Sequence, residues 1–277
     1  MINAITVDVE YWYQAFQNTN FEIRNGYEDR IVGNIERVLK LFNDYKVKAT
    51  FFILGCLAEK NPEVVKMISA ERHEIATHGY SHRFIYNLTK AEFSSELKKS
   101  IKLIEGLSGQ KVLGHRAAAW SITEKSKWAL DIIFEQGLLY DSSISPFITH
   151  IYGMRGVNKA PHVILKKDNR ALYEFPFSTF PFLNRDLPVA GGFFTRLYPY
   201  WFIRHAFKKS NSCGYPVMFY FHPWDLDEGQ PRLKLPWSMK RHYYNLRTTE
   251  KKIRLLLSEF NFAPIRDILS KTNFLRP

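Results

Sequence analysis

Two histidines placed four residues apart could act as metal ligands. His78 and His82 lie in the stretch 76-ATHGYSHRFI-85, separated by a glycine, a tyrosine and a serine. Residues at i and i+4 share one face of a helical turn, so a turn here would let two imidazoles reach one ion. Taken alone, such a pair is a common coincidence, and two polar residues on a turn are the ordinary alternative. The pair gains meaning only if further ligands lie nearby.

Two carboxylates follow the first apolar run of the chain. Asp8 and Glu10 stand in 5-ITVDVEYW-12, where that run ends. One carboxylate could complete a three-ligand metal site, and the other could accept a proton as a general base. Each also has an ordinary interpretation, because Asp is frequent in turns and caps and Glu in solvated loops.

A histidine and an arginine further along the chain could complete a hydrolytic site. His222 ends the apolar run 217-VMFYFH-222, and Arg116 follows another short run. A divalent ion held by two imidazoles and one carboxylate makes a bound water acidic near neutral pH. A histidine on the opposite wall could protonate a departing amine, and an arginine could hold the base ionised. His222 could instead be a half-buried structural histidine and Arg116 an ordinary ion-pair residue. Together these residue types predict metal-assisted amide hydrolysis with a divalent metal, by default Zn²⁺, although mixed nitrogen and oxygen sites accept other first-row ions.

The elements that must position these residues alternate between strand-like and helix-like segments, which predicts an α/β fold. Catalytic side chains of such folds collect at the carboxyl ends of parallel strands, and the candidates above all follow predicted strands. Strands are predicted near 3–9, 48–54, 72–77, 111–115, 137–140, 172–177, 216–222 and 259–263, and helices near 29–45, 56–70, 89–107, 123–136, 195–209 and 240–258. Residues 1–277 are predicted to form a single domain, with an elaborated insertion around 142–192 that contains a short hairpin near 163–175.

Composition excludes several classes of protein. The chain of 277 residues is 45% apolar, and no apolar run approaches the length of about 20 residues that spans a bilayer. Two cysteines, Cys56 and Cys213, are too few for a disulfide scaffold or a thiolate metal cluster. The first residues show no signal-peptide pattern, so a cytoplasmic protein is expected.

The formal net charge of +12 suggests an anionic partner. Anionic lipid headgroups, a phosphorylated substrate or nucleic acid would all be attracted, and a solvated basic surface is the ordinary alternative. Because the basic residues are not organised on a recognition element, nucleic acid is not expected as a partner. A peripheral position at the inner face of a membrane would account for the charge. No sequence feature indicates an oligomeric state.

Four motifs resemble those of polysaccharide deacetylases of carbohydrate esterase family four. They are TVDVE (6–10), HGYSH (78–82), GHRAAAWSIT (114–123) and FYFHPWDLDEGQPR (219–232). With YDSS (140–143), they are similar to a subgroup of cytoplasmic deacetylases associated with exopolysaccharide gene clusters. The resemblance implies a distorted (β/α)7 barrel.

The resemblance also implies a role for each site residue. Asp8 is the implied general base with Arg116 as its tether, and His222 is the implied general acid with Asp141 as its orienting partner. Glu10, His78 and His82 are the implied metal ligands. The chain departs from the family pattern where Val9 separates the two acids, which leaves open whether Glu10 or Asp8 is the carboxylate ligand. Two further departures are Tyr11 and the run Ala117–Ala119.

The activity implied is removal of an N-acetyl group from an amino sugar, releasing acetate, in a polysaccharide or a lipid-linked glycan. Four aromatic residues near the motifs could stack on sugar rings or could equally be core residues: Trp12, Tyr80, Trp120 and Trp224. Two alternatives remain open. One is a metal-dependent amidase or deformylase acting on a small amide or a formylated sugar, and the other is a non-catalytic glycan-binding or assembly protein.

Overall fold

The computed structural model describes residues 1–17, 27–183 and 185–271. Its strands are β1 (Ile2–Val9), β2 (Thr50–Ile53), β3 (Glu74–Thr77), β4 (Gly114–His115), β5 (Tyr140–Asp141), β6 (His162–Lys167), β7 (Arg170–Glu174), β8 (Thr179–Phe182), β9 (Arg185–Pro188), β10 (Met218–Phe221) and β11 (Asn261–Ala263). Its α-helices are α1 (Ile31–Asp44), α2 (Gly55–Lys60), α3 (Pro62–Ala70), α4 (Lys90–Ser108), α5 (Ala129–Glu135), α6 (Gly192–Leu197), α7 (Tyr200–Ser212), α8 (Thr249–Glu259) and α9 (Ile265–Lys271). Short 3₁₀ turns connect several of them, and the described helices include none long and apolar enough to cross a membrane.

A parallel sheet organises the molecule. Its strand order is β10-β1-β2-β3-β4-β5-β7-β6, in which only β6 runs antiparallel to its neighbour. The short β11 pairs with Ile2–Ala4, on the part of β1 that precedes the residues paired with β2. Seven strands of the described chain thus form one parallel series, with β6 added as an edge. The predicted α/β class with a parallel, barrel-like sheet is confirmed.

The residues that follow β9 lie against β10, the edge of the sheet opposite β6. The amide of Tyr220 in β10 donates to the carbonyl of Ala190, and Gly191 forms a parallel bridge to Tyr220. Gly191 has φ 136°, and a Cβ there would lie 1.9 Å from the Tyr220 carbonyl oxygen. Only glycine therefore permits this approach. The contact brings the segment between β7 and β10 along the open edge of the sheet.

Most predicted elements are present, and the differences have local causes. The predicted face of α1, carried by Ile31, Ile35, Val38, Leu39 and Phe42, is buried in the core. Thr89 and Glu92 form the predicted capping box at the start of α4. The helix predicted over 56–70 is divided into α2 and α3 because Pro62 cannot continue a helix. Residues 195–209 likewise divide at Pro199, and the predicted helix 240–258 begins as 3₁₀ turns before α8.

The region 142–192 contains the predicted hairpin and a second one. Strands β6 and β7 form the hairpin expected near 163–175, and β8 pairs with β9 in another that the sequence pattern did not predict. Strand β7 also joins the main sheet beside β5, so this region is partly integral to the barrel. The single domain over residues 1–277 stays a prediction.

Candidate metal centre and catalytic site

One carboxylate and two imidazoles converge beyond the carboxyl ends of β1 and β3. Oε2 of Glu10 lies 2.6 Å from Nε2 of His82 and 3.9 Å from Nε2 of His78. Each of the three residues offers one ligand atom, and these atoms all lie within 4.8 Å of one another. All three side chains are buried. Among the described residues, this is the group of such side chains that could hold one metal ion.

The two histidines are brought together by a loop and not by the helical turn that their spacing suggested. β3 ends at Thr77, and the backbone then turns through Gly79 at φ 75° and His82 at φ 60°. A non-glycine residue in the left-handed region is uncommon, and such residues collect at functional sites. The amides of Gly55 and Cys56 donate to the carbonyls of Gly79 and Tyr80, which fixes this loop on the start of α2.

The ring of His78 has a fixed orientation. Its Nδ1 lies 2.7 Å from the carbonyl oxygen of Arg116, so Nδ1 carries the proton and Nε2 is turned toward Glu10. A hydrogen bond of this kind from the remote ring nitrogen is the usual support of a metal-bound histidine. Burial lowers the pKa of His78 to about 4, which keeps the ring neutral.

The donor set suits a divalent first-row ion. Burial by itself raises the pKa of Glu10, but the neighbouring rings of His82, His222 and His78 bring it down to about 2. An ionised carboxylate and two neutral imidazoles make three protein ligands, the number that leaves a coordination position for water. The residues present therefore fit a bound metal.

The second carboxylate lies on the same side of β1. Strand side chains alternate, so Asp8 and Glu10 face the same way, and β1 pairs with β2 in continuous register through Val9. No bulge is needed to bring Glu10 to the histidines. Asp8 pairs instead with Arg116, whose Nη1 lies 2.6 Å from Oδ1 of Asp8.

Arg116 is held by a network that is fully buried. Its Nη1 also donates to Oγ1 of Thr6 at 2.9 Å, and its Nη2 donates to Oγ of Ser142 at 3.0 Å. The exposed fractions are 0% for Arg116 and 2% for Asp8, so neither group of this ion pair reaches solvent. The planar guanidinium presents its donors in a fixed geometry, so it reaches Asp8, Thr6 and Ser142 in separate directions.

His222 faces the metal ligands from the end of β10. Its Nε2 lies 3.4 Å from Oε1 of Glu10, and its Nδ1 lies 3.0 Å from Oδ2 of Asp225. Asp225 also accepts from the backbone amide of His222 and pairs with the buried guanidinium of Arg196. Burial lowers the pKa of His222, although Glu10 and Asp8 act in the opposite direction.

The predicted pairing of Asp141 with His222 is wrong. Oδ1 of Asp141 lies 2.7 Å from Nδ1 of His115 and accepts from Oγ of Ser143. The reason is strand register, since β4 and β5 are neighbours and His115 is directly opposite Asp141. The partner of His222 is Asp225, three residues further along the chain.

Three of the four predicted sugar-stacking residues are packed inside the protein. Trp12 is 2% exposed and packs on Tyr27, and Trp120 is 7% exposed and packs on Tyr220. Trp224 lies between two imidazoles, with ring centroids 4.4 Å from His222 and 4.5 Å from His242. Its Nε1 points to Oε1 of Glu10 at 3.4 Å.

The stacking prediction is therefore wrong for these three residues, because protein groups cover their faces. Tyr80 is partly exposed, with Nζ of Lys99 4.0 Å above its ring, and its role stays a prediction.

Sequence reasoning missed Asp225, Arg196 and Ser142. Asp225 had a visible signal, because an acid three residues after His222, with Pro223 between them, can cap the turn that follows a strand. Ser142 lies beside Asp141 in YDSS. The prediction assigned a role in the site to Asp141, whereas the residue of this motif that binds the Arg116 side chain is Ser142. Arg196 lies on α6, and nothing in its local sequence points to a buried ion pair.

Comparisons with known proteins define the class. Residues 22–131 match the polysaccharide deacetylase family, and residues 142–270 match a domain of unknown function, DUF3473. A peptidoglycan deacetylase of Helicobacter pylori is 36% identical over 110 residues, which are 40% of this chain and 36% of that protein. A peptidoglycan-N-acetylglucosamine deacetylase of Bacillus cereus is 34% identical over 96 residues, which are 34% of this chain and 35% of that protein.

The fold agrees over a longer range than the sequence. A crystal structure of a putative polysaccharide deacetylase from Mycobacterium smegmatis superposes with a TM-score of 0.65 at 19% identity, covering 96% of this chain and 88% of that one. Residues 22–131 of the chain are thus similar in sequence to polysaccharide deacetylases, and nearly the whole chain shares the fold of that solved structure. It spans about a third of the length of the curated relatives it matches.

Proposed function

We propose that this protein is a metal-dependent hydrolase that removes the N-acetyl group from an amino sugar of a glycan. The observation that carries the proposal is the arrangement around Glu10. His78 and His82 lie on one side of its carboxylate, and His222 contacts the other oxygen. The Asp8–Arg116 pair comes from the same end of the sheet.

Glu10, His78 and His82 would hold the ion, for which we propose Zn²⁺ because two imidazoles and a carboxylate are common zinc ligands. Bound there, it would supply Lewis-acid activation of a water and of the acetyl oxygen. The burial of all three ligands excludes bulk water from the centre and strengthens the interaction of each charge with its neighbours.

Asp8 acts as the general base in this proposal. Its carboxylate accepts the proton of the attacking water, and the hydrogen bond from Arg116 to Oδ1 holds the carboxylate ionised and in a fixed orientation. Thr6, which accepts from the same guanidinium nitrogen, limits the rotation of that group.

His222 acts as the general acid. The carboxylate of Asp225 lies against Nδ1, so the proton available to the leaving amine would be carried on Nε2, the nitrogen that faces the centre. Arg196 neutralises Asp225 on its other side. The ring stacked on Trp224 has little freedom to rotate, which holds Nε2 in the position required for transfer.

An N-acetylated amino sugar is the substrate class we favour, in a polysaccharide or a lipid-linked glycan. Support comes from the relatives, which are described as deacetylases of peptidoglycan and of chitooligosaccharide. The amide of an N-acetyl group requires the base, the acid and the Lewis acid that the site combines.

The test pairs metal analysis with acetate release from N-acetylglucosamine oligomers. Wild type should contain about one metal ion per chain and release acetate. His78→Ala should lose the metal and the activity, and Asp8→Asn should keep the metal and lose most of the activity. His162→Ala is the matched control, because this partly buried histidine lies on β6, and its Nδ1 contacts the carbonyl of Ala160 two residues earlier.

Three other results would each exclude the proposal. Equal acetate release by wild type, His78→Ala and Asp8→Asn would show that neither the proposed metal ligand nor the proposed base takes part in the reaction. Turnover of small amides or formylated sugars with inert acetylated sugars would indicate an amidase or deformylase. Tight glycan binding without acetate release by the metal-loaded protein would indicate a non-catalytic role.

A further inference from the structure

An exposed apolar surface lies outside the candidate site, on the β8–β9 hairpin and α7. At the end of β8, Phe182 is 45% exposed and Leu183 is 81% exposed, and Trp201 on α7 is 68% exposed. With Arg204 and Lys208 on α7, these side chains border one shallow groove, called here the hairpin–helix patch. Large apolar side chains this exposed and this close together are typical of a surface that meets a partner.

The patch is held in place by aromatic packing beneath it. The ring of Phe182 lies 5.6 Å from that of Phe202, and Phe180 lies 5.6 Å from the ring of His205. The hairpin is therefore fixed on α7, and the exposed side chains share one surface. Leu183 has φ 47°, in the left-handed region where glycine or asparagine is less strained. Its side chain is 81% exposed, so its apolar surface stays in contact with water unless another surface covers it.

Cations accompany the apolar residues. Arg204 and Lys208 follow Trp201 by three and seven positions, so all three project from one face of α7, and all are exposed. Arg204 pairs with Glu259, so the charges of those two side chains offset each other, and Lys208 adds a further cation to the same helix face. The protein as a whole carries a formal charge of +12.

We propose that the hairpin–helix patch docks on the surface of an anionic lipid bilayer. Leucine, phenylalanine and tryptophan insert at the boundary of headgroups and acyl chains, and lysine and arginine bind the anionic headgroups above it. Charge argues against a second copy of this chain as the occupant. A two-fold contact through the patch brings like surfaces together, so Lys208 of one copy would lie close to Lys208 of the other. The inference does not depend on the deacetylase activity.

The test is co-sedimentation with vesicles of phosphatidylcholine, alone or with about 30% phosphatidylserine. Wild type should bind the anionic vesicles and bind phosphatidylcholine weakly. Leu183→Ser with Trp201→Ser should reduce binding to anionic vesicles about tenfold or more, whereas Trp201→Phe should retain most of it. Lys208→Glu changes the local charge by two units and should reduce binding roughly 30-fold, at about fivefold per charge.

Lys102→Glu is the matched charge control. Lys102 is exposed on α4, a helix that packs on α2, α3 and α5, and its replacement gives the same net charge as Lys208→Glu. It should weaken vesicle binding far less. Acetate release from a soluble oligomer should be the same in every patch variant, which separates this inference from the proposed activity.

Two results would overturn the inference. One is binding to anionic vesicles that falls equally in Lys102→Glu and Lys208→Glu, which would indicate attraction by net charge alone. The other is a dimer in sedimentation velocity that the Leu183→Ser/Trp201→Ser variant abolishes, which would make the patch an interface between copies.

Discussion

The buried ion pair between Asp8 and Arg116 should show strong energetic coupling in a double-mutant cycle. The variants are Asp8→Asn, Arg116→Met and the combination of both. Nη1 of Arg116 lies 2.6 Å from Oδ1 of Asp8, and the exposed fractions of the two residues are 0% and 2%. Removing one member leaves the other charged, buried and without its ionic partner.

The expected size follows from this geometry. Breaking a buried pair by removing one partner costs about 3–5 kcal/mol, because an uncompensated charge stays in a medium of low polarity. Arg116→Met also loses hydrogen bonds to Thr6 and Ser142, each contributing about 1 kcal/mol. Those losses appear in both arms of the cycle and cancel. We therefore expect a coupling free energy of about 3 kcal/mol between positions 8 and 116.

Urea unfolding at pH 7 measures each free energy of unfolding. The control cycle uses Lys167 and Asp131, which form an ion pair at 2.8 Å with side chains 46% and 53% exposed. Solvent screens that pair, so little or no coupling is expected there. A coupling at positions 8 and 116 no larger than in the control would refute the reasoning, because it would mean that the Asp8–Arg116 pair is solvated.

Three further predictions concern single residues. Asp225→Asn should lower kcat about 100-fold with the metal content unchanged, because the carboxylate that orients His222 is lost; Asp227→Asn on the same loop, which pairs with Arg30, should leave kcat near wild type. His73 is fully buried and accepts from the Ala49 amide, and burial lowers its pKa from an ordinary value near 6.5 to about 3. As pH falls below about 6.5, His73 therefore takes up a proton in the unfolded chain before it does so in the folded protein. The stabilisation of the folded state by neutral His73 is present above that pH and is lost as pH falls toward 3. Between pH 7 and pH 5 the loss should be about 2 kcal/mol, and His73→Gln should remove that part of the pH dependence in urea titrations. Thr89→Ala should lower the free energy of unfolding by about 1 kcal/mol through loss of the α4 cap, and an unchanged urea midpoint would contradict that role.

The sequence was sufficient for the parts of the site that local periodicity determines. Asp8 lies near the end of β1 and Glu10 directly follows the strand, so the alternation of side chains in extended backbone predicts that they lie on one side. The parallel α/β pattern then predicts that Asp8, His78 and Arg116 meet, because all follow strands of one sheet. The contacts between Glu10 and the two histidines, and between Asp8 and Arg116, follow from this arrangement.

The remaining features depend on information that local patterns do not contain. Asp141 follows a strand as the catalytic candidates do, but its partner is set by which strand lies beside β5. The loop that carries His82 relies on a histidine in the left-handed region, a conformation that is uncommon for non-glycine residues and that the sequence pattern does not reveal. Trp12 and Trp120 are near the site in sequence, yet only packing decides which faces are covered.

Arg116 contributes to the site through two chemically different groups. Its guanidinium pairs with Asp8, and its main-chain carbonyl accepts a hydrogen bond from Nδ1 of His78. A side chain can be replaced by a point mutation, but a carbonyl is common to every amino acid. A substitution at position 116 should therefore abolish hydrolysis by removing the partner of Asp8, while the orientation of the metal ligand His78 is kept. A shift of the backbone at 114–117, by contrast, would break both the hydrogen bond to His78 and the pairing with Asp8. Insertions in this stretch should therefore be tolerated far less than substitutions.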